Sequence, residues 1–166
     1  MWAIKANPAI LPFMEHSEIG VNYCTNYKIS DIMCSSINAC TKGDFLSFGM
    51  SYSIFGNKYY RVSNYTLCTA RKLNKNNALG ISCDIERTFQ EIYKATYLVF
   101  PELAYFGRIK KLSYGIHVVN PFRIISSKKK QGVSLFKTTA TYQNTKDSDL
   151  GILLSQDTEG NQTFAI

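Results

Sequence analysis

The sequence predicts an α+β fold: a single domain with a largely antiparallel sheet of about six to eight strands and two main helices, near 30–42 and 84–100. Three observations carry that expectation. Polar and apolar residues alternate without a break over 47–54 and alternate again over 112–119, the period of a half-buried strand. Apolar residues recur at helical spacing over 29–40 and 85–100. Short runs of turn formers, Asn74-Lys75-Asn76-Asn77 and Asn120-Pro121 among them, separate the alternating stretches.

Residues 1–28 contain Pro8, Pro12 and Gly20 without a sustained period, and they read as an irregular segment laid over a domain of residues 29–166. In the first helix Ile29, Ile32, Met33, Ile37 and Cys40 share a face, with Ser30 capping its start and Gly43 its end. Residues 47–54 place Phe48, Met50, Tyr52 and Ile54 on one side of a strand and Ser47, Gly49, Ser51 and Ser53 on the other. Phe55-Gly56-Asn57-Lys58 turns the chain into a long strand over 59–72, and a short strand follows over 78–83. The second helix carries Ile85, Phe89, Ile92, Tyr93, Thr96 and Phe100 as its buried stripe, with Asp84 and Glu86 at its positive end and Pro101 as its stop. Strands over 112–119, 122–125 and 133–142 come next, then a terminal hairpin of 150–154 with 163–166.

The 166 residues are 45% hydrophobic and 19% charged, the composition of one compact soluble domain. The net charge of +7 is unevenly spread. Residues 45–146 carry 16 basic and four acidic side chains, and 103–146 contain nine Lys and Arg with no acid. Residues 147–166 carry four acids and no base. A field of that sign concentrates polyanions: nucleic acid, anionic lipid or an acidic protein surface.

Several function classes lose support. The five cysteines have no zinc or redox-motif spacing, and no phosphate-binding glycine loop occurs. No metal and no cofactor is expected. There is no export-type leader and no run of about 20 apolar residues, so an intracellular, cytoplasmic setting is expected. Catalysis has only His16 and His117 as near-neutral acid or base groups.

The balance favours a non-enzymatic binding module that docks a basic surface on nucleic acid or a ribonucleoprotein. Arg108, Lys110, Lys111, Arg123, Lys128, Lys129 and Lys130 are the expected phosphate contacts. Tyr59, Arg61, Tyr65 and Arg71, projecting from one face of the 59–72 strand, would add stacking and guanidinium pairing. The alternative is a matrix-like or adaptor protein that meets anionic membrane or an acidic partner and self-associates through segments of opposite charge. A third reading is a small enzyme pairing His117 with a cysteine.

Overall fold

The protein is described by a computed structural model covering residues 3–25, 32–121, 134–145, 148–157 and 161–165. Within those residues ten strands form one antiparallel sheet, each paired with its neighbour in chain order. They are β1 (Glu18–Thr25), β2 (Met33–Thr41), β3 (Ser47–Gly56), β4 (Tyr60–Lys72) and β5 (Asn77–Gln90). The meander continues as β6 (Tyr93–Ile109), β7 (Leu112–Val119), β8 (Leu135–Thr145), β9 (Ser148–Asp157) and β10 (Gln162–Ala165). Helical structure among the described residues is confined to α1 (Ala3–Ala6) and a 3-10 turn over Pro8–Phe13.

The α+β expectation is therefore overturned, and both main helices are strands. Residues 33–41 form β2, and the span 84–100 divides into the end of β5, a turn at Glu91-Ile92 and the start of β6. The two periods share a spacing of four residues, so Met33 with Ile37 and Ile85 with Phe89 fit a helix face and a strand face equally well. Composition decides between them: 84–100 is dense in Ile, Thr, Tyr, Val and Phe, residues that lose rotamer freedom in a helix and pack well on a pleated surface. Asp84 and Glu86 are strand residues of β5 and cap nothing.

Pro101 lies inside β6, opposite Cys83 of β5, at the point where pairing with β7 runs out. Its carbonyl accepts the Asn120 backbone N–H at 2.7 Å. The reciprocal bond, which proline cannot donate, is replaced by the Ser134 hydroxyl, which reaches the Asn120 carbonyl at 2.8 Å. The left-handed backbone of Asn120, φ 53°, turns the chain there.

The register divides the sheet into two unlike faces. One carries Ser47, Gly49, Ser51 and Ser53 of β3, Asn64, Thr66 and Cys68 of β4, Gly80, Ser82, Asp84 and Glu86 of β5, Glu102 of β6 and His117 of β7. The N-terminal segment, residues 3–13, packs against that face: Ile4 and Leu11 bury with Cys40, Cys68 and Ala70, and Ala9 buries with Ala104 and Phe106. Asn7 fixes it, accepting the Ala9 N–H at 2.9 Å and donating to the Tyr105 carbonyl at 3.1 Å. Lys5 shares a hollow with Asn22 and Cys24 of β1, whereas the carbonyl of the next residue, Ala6, lies 3.1 Å from His117 on β7. A flat sheet would hold β1 and β7 about 29 Å apart at ~4.8 Å per strand. Adjacent residues cannot span that, so the sheet curls around the segment with its polar face inward.

Gly80 is where the backbone of the N-terminal segment comes close to the sheet. A Cβ there would stand 2.7 Å from the Ala9 nitrogen and 3.0 Å from the Pro8 carbonyl carbon, atoms that cannot swing aside. Gly80→Ala is expected to cost about 1–3 kcal/mol in a denaturant melt and to speed hydrogen exchange at the Ala9 and Ile10 amides.

Candidate functional site

The opposite, convex face carries exposed apolar side chains on each strand from β1 to β9. It presents Ile19 and Val21 on β1, Ile37 on β2, Phe48 and Met50 on β3, Leu67 on β4, Leu79 and Ile81 on β5, Leu103 on β6, Ile116 on β7, Phe136 on β8, and Ile152 and Leu154 on β9. These side chains are bare: Leu67 is 63% exposed, Met50 56% and Ile81 55%. A soluble antiparallel sheet turns its apolar face to a core and its polar face to water. Here the polar face is covered and the apolar one is open, over an extent far beyond the few hundred Å² usual for a soluble monomer. Phe48, Met50, Leu67 and Ile81 line a shallow hollow of about 490 Å³ on it.

Charge on the convex face is restricted to its margins. Among the described strand residues it carries three charged side chains, Arg61, Arg71 and Arg87, each within four residues of a strand end. Each guanidinium lies over a ring: Arg71 on Phe45 at 3.9 Å, Arg61 on Phe89 at 5.6 Å and Arg87 on Tyr97 at 5.9 Å. One tyrosine pair joins the ends of β5 and β7 to β6, while Tyr52 and Tyr65 pair mid-strand. The Tyr105 hydroxyl donates to Asn77, the first residue of β5, and its ring packs on Tyr114 at 5.9 Å. Arg61 and Arg71 stand ten residues apart on β4, about 33 Å along an extended chain. At the 35–45° tilt usual in membrane barrels that span is about 25 Å high, the height of a barrel's lipid-facing band.

The nucleic-acid candidates are placed as follows. Arg108 ends toward the rim formed by the 73–76 and 110–111 turns, with Arg71, Lys72, Lys110 and Lys111. Arg61 belongs to the other rim, and Tyr59 lies beside it in the 57–59 turn under Lys58, 4.8 Å from its ring. Tyr65 is on the convex face, stacked on Tyr52 at 4.7 Å. The row expected along one face is thus split between two rims and an apolar middle. Arg123, Lys128, Lys129 and Lys130 lie outside the described residues.

A buried polar cluster on the concave face escaped the sequence reading. His117 is 3% exposed; its Nδ1 lies 3.1 Å from the Ala6 carbonyl and its Nε2 3.1 Å from Glu102, which also accepts from the Ser82 hydroxyl. Both ring nitrogens face oxygen atoms, one a backbone carbonyl and the other a carboxylate. Burial pushes the Glu102 carboxyl up, but the hydrogen bonds from His117 and Ser82 outweigh it and hold the group below its ordinary value of 4.5. The ring nitrogens are thus engaged with Ala6 and Glu102, whereas burial above all drives the Cys68 thiol up to about 12, making it a poor nucleophile. One signal in the sequence pointed here: His117 alternates out of the apolar row Leu112, Tyr114, Ile116 and Val118.

Among the described residues no group of three or more His, Cys, Asp or Glu side chains is placed to hold a metal, and no helix is long and apolar enough to cross a membrane. No protein-family model matches the chain, and no curated protein or solved structure is similar to it at a significant level.

Proposed function

We propose that the protein is embedded in a membrane as a curled up-and-down β-sheet of the barrel type, its convex face against lipid chains and its concave face lining an aqueous interior that the N-terminal segment occludes. The observation that carries this reading is the inversion of the sheet: apolar outside on nine successive strands, β1 to β9, polar and segment-filled inside. Strands cross a bilayer without any long apolar run, because only alternate residues meet lipid. The margins fit the same account, with arginine where a bilayer presents headgroups and the middle rows uncharged. An even-numbered meander makes β1 and β10 antiparallel to each other, the relation that closure of such a barrel needs. This proposal moves the protein from the cytoplasm to a membrane.

The test is reconstitution. Refolded from denaturant in the presence of phosphatidylcholine vesicles, the protein is expected to float with lipid on a density gradient, to resist alkaline extraction and to show sheet-type circular dichroism. A compact chain that stays in the aqueous fractions would overturn the reading.

A second reading is favoured by the gathering of Arg71, Lys72, Lys75, Arg108, Lys110 and Lys111 about one rim. That rim has the charge to dock on nucleic acid. It predicts oligonucleotide binding that weakens with salt by about 0.9 log units per log of salt for each phosphate contacted, and weakens further in the K110E/K111E variant. Anisotropy that stays flat at low salt would remove it.

A further inference from the structure

We propose that Cys24 and Cys34 form a redox-active dithiol that closes reversibly into a cross-strand disulfide. Neither residue belongs to a sequence motif, and they are ten positions apart. The fold brings them together: Cys24 of β1 and Cys34 of β2 are directly opposite in the ladder and project to the concave face. Residues in that relation have Cα atoms about 4.5–5.5 Å apart, inside the range of about 4.4–6.8 Å that a disulfide spans. The two thiols are in contact, and that contact, ahead of burial, holds the Cys34 thiol above its ordinary value while Lys5 pulls the other way. Both border a hollow of about 380 Å³ with Lys5, Asn22, Ser36 and Ser53, so a small oxidant has room to enter. The remaining cysteines lack this arrangement. Cys40 and Cys68 are buried, and Cys83 projects to the opposite face from Cys68.

Cys24, the exposed member, is the entry point. With a low-molecular-weight disulfide such as oxidised glutathione, the Cys24 thiolate attacks one sulfur. The external S–S bond breaks, one glutathione leaves as thiolate with the released proton, and a mixed disulfide remains on Cys24. The Cys34 thiolate then attacks the Cys24 sulfur and expels the second glutathione. Two protein thiols are oxidised, one external disulfide is reduced to two thiols, and β1 is stapled to β2 beside the N-terminal segment.

The experiment is oxidation of the folded chain by glutathione disulfide, then alkylation of free thiols and peptide mapping. The Cys24–Cys34 link is expected to exceed any other pairing by about tenfold and to reverse with dithiothreitol. In urea the preference should pass to Cys34 with Cys40, only six positions apart, because loop closure then decides. In the C34S variant glutathione should persist on Cys24, where the wild type displaces it. The proposal fails if the folded wild type retains glutathione on Cys24 as C34S does, or if its pairing matches that found in urea.

Discussion

Leu67→Arg is expected to destabilise the bilayer-embedded protein by about 2–4 kcal/mol, the cost of an arginine at the midplane of a barrel's lipid face. Leu67 is the right position because it lies near the middle of β4 between Arg61 and Arg71, with Met50 and Cys83 as its register partners. The loss corresponds to about a 30- to 700-fold fall in the folding equilibrium. It would be read as a shifted urea transition in vesicles and a smaller floating fraction. Ile109→Arg supplies the depth control. Ile109 is the last residue of β6, at the rim and 58% exposed, so its arginine reaches headgroups and water and should cost about 0–1 kcal/mol. The contrast between the two decides the environment of the face. Were it washed by water, both positions would be exposed surface sites, and both substitutions would fall within about 0.5 kcal/mol of neutral.

That experiment also probes what the sequence leaves undetermined. Alternation over 47–54 and 112–119 was legible, and β3 and β7 are where it placed them. So was the separation of Phe48, Met50, Tyr52 and Ile54 from Ser47, Gly49, Ser51 and Ser53. The direction of each face was not. Alternation states that two sides differ and is silent on which one meets water, protein or lipid. Expecting helices made an apolar face look like a core face, since helices would have covered it. The missed hairpin between β5 and β6 has a local cause: Glu91-Ile92 lacks the Gly, Asn or Pro that mark tight turns, and Phe89, Ile92, Tyr93 and Phe100 mimic a helical stripe across it. Strands of 14 and 17 residues are also far longer than the five or six usual in globular sheets, so the prior favoured a helix for so long a span. The His117 cluster was out of reach for another reason. Ser82 and Glu102 are opposite each other on β5 and β6, with His117 beside them on β7, so the cluster exists only through strand pairing that a helix over 84–100 does not provide, and Ala6 reaches it from the N-terminal segment laid over the sheet.

His117→Ala is expected to be the most damaging single change on the concave face, costing about 3–5 kcal/mol, because it leaves the Glu102 carboxylate buried without its imidazole partner. The same substitution removes the Ala6 contact, so exchange at the Ala9 and Ile10 amides should rise together with the global loss. The acid limb of stability separates this account from simple loss of packing. In the wild type Glu102 is held below its unfolded value of 4.5, so the folded state gains from its ionisation. That gain is complete above 4.5 and disappears as pH falls through the lower, folded value. Without His117 the effect that remains largest is burial, which raises the carboxyl instead. The gain from ionising Glu102 then shrinks, because burial opposes what the Ser82 hydrogen bond and Lys137 still supply. Denaturant midpoints collected from neutral pH to below 4.5 should therefore fall toward acid more steeply in the wild type than in H117A, with the E102Q variant showing neither trend at this site. Parallel curves for wild type and H117A would mean that Glu102 is not held by His117, and that the ring serves only to fill space beneath the N-terminal segment.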